Sequence, residues 1–287
     1  MKNYKIEKQE TEYVMDALVN HISKYETEEK ESFHPAFKTN DFCLYNADCL
    51  AVMSRFPDNG FTCHAGRMVS VNKGKWDKSK GFDEDFKFHE TWISECKRIL
   101  KPEGSIWISG TYHSIFQCGY ILQKEGYHIL NDISWFKPNA SPNLSCRFFT
   151  ASHETLIWAR KDKKAKHYFN YTAMKEGSFP NDFIKKPSLQ MRSVWAIHPP
   201  KNEEKTYGKH PTQKPIDLLK RVILASTDKD AIILDPFSGS GTTGIAAKII
   251  GDRKFIGIEY DEKYIKTSIS RYNDLIKRTE SQLTLIK

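Results

Sequence analysis

No stretch of the chain approaches the roughly 18 consecutive apolar residues that a membrane-spanning helix requires. Residues 1–8 lead into charged sequence, where an export signal would place an apolar run. A cytoplasmic protein without membrane association is the expectation. A C-x-x-C pair is also lacking. The six cysteines (Cys43, Cys49, Cys63, Cys96, Cys118 and Cys146) are scattered, which favours reduced thiols over a disulfide framework or zinc site. Cys63-His64 is the one hint of a ligand pair, so no metal site is expected. Internal repeats and low-complexity tracts are absent too. What is present is 287 residues with 39% hydrophobic content, enough to fill one large α/β domain or a domain carrying an insertion.

Charge is unevenly spread. Between Arg160 and Lys209 there are 12 Lys/Arg against 5 Asp/Glu, so most of the net +8 sits in about a sixth of the chain. Such a balance is the electrostatic footprint of phosphate contact, although a solvated lysine-rich surface would read the same way. Aromatics stand among the charges (His167, Tyr168, Phe169, Tyr171, Phe179, Phe183 and Trp195); they could serve nucleic acid or form a small core. Lys163, Lys164 and Lys166 are the densest run and the candidate DNA contacts.

Periodicity places the elements. Val14, Leu18 and Ile22 form an i, i+4, i+8 stripe, predicting an amphipathic covering helix within residues 1–40. Short apolar runs predict strands at 42–45, 105–109, 129–136, 155–160, 231–235 and 255–259. Helices are predicted after Asp48 as N-cap, over 92–100, 215–227 and 242–250, and from 261 onward. Six strands alternating with helices imply a mainly parallel sheet covered on both faces. The proline-rich segment 161–208, without sustained period, reads as an insertion or small subdomain.

Gly239, Gly241 and Gly244 spell G-x-G-x-x-G directly after the strand ending at Asp235. Glycines here could merely close a strand-to-helix turn. Their surroundings say more. Asp235 lies at the carboxyl edge of the sheet, where open α/β folds bind ligands, and its carboxylate would repel a pyrophosphate but attract an ammonium or sulfonium. Glu259 ends the next strand 24 positions later, suited to accept hydrogen bonds from both hydroxyls of a ribose. An adenosine carrying a cationic tail satisfies both carboxylates, and S-adenosylmethionine is such a molecule. A nicotinamide dinucleotide is disfavoured by Asp235 and by the late position of the loop.

The full run D-P-F-S-G-S-G-T-T-G (235–244) with Glu259 resembles the cofactor motif of DNA amino-methyltransferases, which methylate adenine N6 or cytosine N4. K-H-P-T-Q-K-P (209–215) resembles the segment that precedes this loop in the permuted, or β, class, where the catalytic half comes first, then target recognition, then the cofactor half. That order explains the late loop. SVNKGKWDKS (70–79), PNLSCRFF (142–149) and HETLIWARK (153–161) look most like adenine methyltransferases of restriction-modification systems that recognise short sites such as GATC or GANTC.

The resemblance implies an α/β, Rossmann-like S-adenosylmethionine-dependent methyltransferase fold with an inserted target-recognition region, acting on DNA. It divides the chain into an N-terminal helical extension (1–40), a catalytic half (41–160), the basic target-recognition insertion (161–208) and a cofactor half (209–287). The implied cofactor residues are Asp48 and Cys49 near the adenine, Lys214 at the methionine carboxylate, and Asp235, Phe237, Gly239, Gly241, Thr242 and Glu259. Asp48 reads equally as an ordinary N-cap, and the 209–215 segment as a proline-bounded helix start.

One family element is lacking. After a Phe-Pro-Asp-Asn turn such enzymes continue with an apolar strand ending in Asp-Pro-Pro-Tyr, whose Asp side chain and proline carbonyl orient the acceptor amino group and whose aromatic ring stacks on the flipped base. Here Asn59 passes directly to Gly60. The catalytic residues are therefore unassigned, and the sheet is expected to lack its central strand beside 231–235. Adenine N6 is the expected acceptor. Cytosine N4, or a noncatalytic protein binding cofactor and DNA, are the alternatives.

Overall fold

The structure, a computed structural model, describes residues 34–67 and 79–285 together with 16, 17 and 19. The predicted stripe Val14, Leu18 and Ile22 and most of the 70–79 motif lie outside the described residues. Val19, one position from that stripe, is buried in the main core.

Among the described residues nine strands form one sheet in the order β1-β2-β9-β8-β3-β4-β6-β5-β7. They are β1 Phe37–Lys38, β2 Phe42–Asn46, β3 Phe61–Arg67, β4 Leu100–Gly110, β5 His128–Phe136, β6 His153–Arg160, β7 Val194–Ala196, β8 Ala231–Asp235 and β9 Arg253–Glu259. The run β2-β9-β8-β3-β4 is parallel throughout. β6 opposes both β4 and β5, and β7 runs parallel to β5 at the edge. The helices are α1 Cys49–Met53, α2 Phe82–Ile99, α3 Ile115–Lys124, α4 Tyr171–Glu176, α5 Ile216–Ser226, α6 Thr242–Ile250 and α7 Glu262–Leu285.

Side chains alternate across the strands and so divide the core in two. Cys43 and Tyr45 of β2 and Ile232 and Leu234 of β8 face α1, α2 and α3, packing with Trp92, Ile93 and Ile121. Phe42, Leu44, Ile233 and Phe255 face α5, α6 and α7, packing with Leu218, Val222, Ile245 and Ile265. Burial on both faces explains why β8 reads AIILD, with every residue buried.

The central strand is not missing. Phe61–Arg67 fills the place between β8 and β4, with Cys63 opposite Ile233 and His64 opposite Leu234 on one side, and Cys63 opposite Ser105 through Arg67 opposite Ser109 on the other. The six-strand expectation failed because F-T-C-H-A-G-R is too polar to signal a strand by itself. Its two parallel neighbours supply the backbone partners that make extended structure favourable there. What remains absent is the tetrad: the β3 register sets Ala65 level with Asp235, and Gly66-Arg67 follow at the carboxyl edge.

The basic segment is built onto this sheet. It contributes α4 and β7. It is anchored by a buried pair in which Arg221 Nη1 of α5 lies 2.5 Å from Asp182 Oδ2, the guanidinium also stacking over Phe179 and Trp195 at 4.5 and 4.9 Å. Its aromatics divide accordingly: Trp195 is buried, whereas Phe169, Tyr171 and Phe183 are exposed.

Candidate functional site: a cleft at the carboxyl edge of the sheet

Asp235 ends β8 and organises the loop that follows. Its Oδ1 accepts the Phe237 amide at 3.1 Å and its Oδ2 accepts the Thr243 hydroxyl at 2.6 Å. One buried side chain thus ties the strand end to the first turn of α6. Glu259, at the end of the adjacent β9, holds the loop from the other side. Its Oε2 accepts the Gly239 amide and its Oε1 the Asp261 amide, each at 2.8 Å.

The three glycines have different physical reasons. Gly239 (φ 53°) and Gly241 (φ 72°) occupy the left-handed region, where a Cβ is penalised. A Cβ on Gly241 would also meet the Ser268 hydroxyl at 2.8 Å. Gly244 is helical, but its Cβ would strike the rings of Phe42 and Phe255 at 2.4 Å, so it permits α6 to approach the sheet. From α7, Arg271 Nη1 donates to Ser240 O at 2.6 Å, Ser240 Oγ at 3.1 Å and Thr242 Oγ1 at 2.9 Å. Burial lowers the Arg271 pKa to about 10, which still leaves the side chain cationic at neutral pH.

A cleft of about 570 Å³ opens beside this loop, lined by Asp235, Phe237, Gly239 and Thr242 from the loop and by His210, Gln213 and Lys214 from the segment before α5. Two of its buried polar atoms, Ser238 Oγ and Gln213 Oε1, have no hydrogen-bond partner among the described residues, as expected of groups that meet a ligand. Phe237 is held edge-on against Trp92 at 5.3 Å and Phe88 at 6.1 Å. Next to Trp92 the His89 ring is buried, and its Nδ1 accepts the indole N–H at 3.2 Å. Burial lowers the His89 pKa to about 4, against a weaker opposing pull from Asp85.

Lys214 reaches the cleft from an ion triad. Its ammonium lies 2.5 Å from Glu154 Oε2, and Lys137 lies 2.5 Å from Glu154 Oε1. Both ammonium groups stand over the Trp135 ring, at 5.6 and 4.7 Å. Burial alone would raise the Glu154 pKa, but Lys214 and Lys137 outweigh it and hold the carboxyl at about 2.

Five of the sequence-predicted cofactor residues therefore share one cleft: Lys214, Asp235, Phe237, Gly239 and Thr242. Gly241 caps α6 behind them. Glu259 and the pair Asp48-Cys49 lie along the same sheet edge toward β2, whose Asn46 is level with Glu259. Asp48 does act as an N-cap, accepting the Ala51 amide at 3.0 Å. Cys49 is buried and its thiol is pushed up to about 12, burial being the larger cause and Asp48 the next. Thr243, Arg271 and Glu154 escaped the sequence reading. Only the second threonine of T-T offered a local signal.

The structure does not bring Lys163, Lys164 and Lys166 to the cleft. β6 runs antiparallel to β4, so its end at Arg160 pairs with Ser105, midway along β4 and five residues before the carboxyl end at Gly110. The lysines that follow thus lie at the amino edge, where Lys166 shares a hollow with Ala231, the first residue of β8. A five-residue strand, about 17 Å, separates that edge from Asp235.

Residues 17–270 match the DNA methylase family, and the chain belongs to it: it is an enzyme of the DNA methyltransferase class. It is 44% identical over 259 residues to the Type II methyltransferase M2.MboI of Moraxella bovis, covering 84% of this chain and 92% of that protein. With the Type II methyltransferase M2.DpnII of Streptococcus pneumoniae it shares 51% over 254 residues, covering 83% and 91%. Among solved structures, the M1.HpyAVI complex with S-adenosylmethionine is 30% identical with a TM-score of 0.62, over 81% of this chain and 99% of that one. The cytosine-N4-specific PvuII DNA methyltransferase, 21% identical with a TM-score of 0.68 over 83% and 88% of the two chains, shares the fold.

Proposed function

We propose that this protein transfers the methyl group of S-adenosylmethionine to N6 of adenine in DNA, as the modification enzyme of a restriction-modification system. The observation that carries the reading is the Asp235–Thr243 and Glu259–Gly239 clamp on a left-handed glycine turn, beside a cleft where Ser238 Oγ and Gln213 Oε1 have no partner among the described residues. These residues fit the cofactor, which when bound supplies a sulfonium-activated methyl group. Asp235 presents negative charge to its cationic end. Glu259 stands one strand further along for the ribose, and Phe237 offers a fixed ring face between them. Lys214, with Lys137 behind it, leaves the triad one positive charge in excess, suited to the methionine carboxylate. The loop amides and Arg271 fix this geometry before binding, which lowers the ordering cost.

Transfer to an exocyclic amino group needs acceptors that orient its lone pair toward the methyl carbon. The carboxyl end of β3 is where the fold offers them, and there the chain carries Ala65-Gly66-Arg67. That observation favours a second reading, a protein that binds cofactor and DNA without transferring methyl groups.

One experiment separates the readings: incubation with DNA and S-adenosylmethionine carrying a labelled methyl group, followed by nucleoside analysis, with cofactor binding measured in parallel. Labelled N6-methyladenine is the expected product. Labelled N4-methylcytosine would reassign the acceptor. Tight cofactor binding with no label in DNA would establish the second reading; grafting Asp-Pro-Pro-Tyr in place of residues 65–68, at the carboxyl end of β3, should then create the activity.

A further inference from the structure

The loop joining β5 to β6, residues 137–152, stands at the carboxyl edge of the sheet and leads into the β6 end that borders the cleft. Leu156 lines the cleft, and Glu154 holds the cleft lysine Lys214. The loop is internally braced. Lys137 N donates to Ser152 O at 2.7 Å, closing its base. At its tip Asn143 Nδ2 donates to Phe148 O at 2.7 Å, while Asn143 Oδ1 accepts the Ser145 amide at 3.0 Å and hydroxyl at 2.9 Å. Yet this braced loop turns three large apolar side chains to water: Leu144 is 93%, Phe148 66% and Phe149 97% exposed.

A loop held in one shape with its apolar groups outward is built to meet something. Two features identify the partner chemistry. The loop contains Lys137 and the exposed Arg147 and no Asp or Glu, so it complements phosphate and not a basic surface. The loop shares the carboxyl edge of the sheet with the cleft, through β6 and its Leu156, and on the function proposed above a base must leave the helical stack at that edge to be methylated. We infer that the 137–152 loop opens the DNA duplex: Phe149 and Leu144 insert between bases at the target, Phe148 extends the ring surface, and Arg147 contacts the flanking phosphate. Apolar side chains wedged between base steps unstack them at a cost that new contacts offset. This assignment rests on the DNA-methylating reading and moves the DNA interface away from Lys163, Lys164 and Lys166.

The test uses the full chain and a duplex containing GATC with 2-aminopurine at the adenine, whose fluorescence rises when the base unstacks. The wild type should bind and raise the signal. Phe149→Ala should abolish the rise and weaken binding roughly 5- to 150-fold, the range expected for one lost base–aromatic stack, and Leu144→Ala should reduce the rise. Arg147→Gln should reduce the slope of log K against log salt by about 0.9. Melting temperature and affinity for S-adenosylmethionine should not change, because these side chains lie in solvent. Variants that bind and report as the wild type does would overturn the loop assignment alone. The same holds for altered self-association in sedimentation with DNA binding intact, which would make the patch a protein interface. A wild type that binds neither this duplex nor its single strands would sink the DNA-acting reading together with the loop.

Discussion

Replacing Glu154 by Gln keeps the shape of the side chain and removes its charge, leaving Lys137 and Lys214 without their shared counterion over Trp135. The Glu154 side chain is only 13% exposed, so solvent screens the triad weakly. With its pKa lowered from 4.5 to about 2, linkage puts the contribution of the ionised form at about 3 kcal/mol, each unit being worth about 1.4 kcal/mol. The sign follows from the depressed folded-state pKa. This stability is fully present above pH 4.5 and is lost as pH falls through 2. Wild type and Glu154→Gln should therefore differ by about 3 kcal/mol in urea unfolding at pH 7, the difference shrinking by about 1.4 kcal/mol at pH 3.5. A difference below about 1 kcal/mol at pH 7, or one independent of pH, would show that the triad behaves as a solvated surface pair, and the reasoning would fail.

Three further outcomes are expected. Asp235→Ala and Glu259→Ala should each weaken S-adenosylmethionine binding, and at roughly 1.5 to 3 kcal/mol per lost charged hydrogen bond calorimetry should see about a 10- to 150-fold change; unchanged affinity in both folded variants would refute the pocket. His89, held neutral with its pKa lowered from 6.5 to about 4, contributes stability that is present above pH 6.5 and lost as pH falls through 4, so the melting temperature should drop between pH 7 and 5 and drop less in His89→Phe. Neutralising Lys163, Lys164 and Lys166 together should leave the salt dependence of DNA binding unchanged, because their edge of the sheet lies a strand length from the cleft; a slope shallower by about 0.9 per lysine would restore them as phosphate contacts.

Local signals decided much of this protein. The short apolar run 231–235, ended by the glycine loop, is too brief for a helix and reads as a strand buried on both faces, and the helix over 242–250 starts at the glycine that its left-handed cap requires. The pairing of Asp235 with Glu259 across 24 positions disclosed the cofactor, because strand-end carboxylates flanking a glycine turn select the ligand's charge. What the chain could not disclose locally was whatever depends on a partner far away in sequence. F-T-C-H-A-G-R becomes the central strand only because β8 and β4 present unpaired backbone groups on both sides. Thr243 rather than Thr242 meets Asp235, since the helix phase at α6 turns the second hydroxyl back to the strand end. Lys214 is aimed by Glu154, 60 residues earlier. The basic run lies at the amino edge because strand direction, which no composition records, carried β6 away from the cleft. Sequence marked the candidate cofactor residues around one glycine loop; the order and direction of the strands decided which of them share a cleft and which charged surface lies away from it.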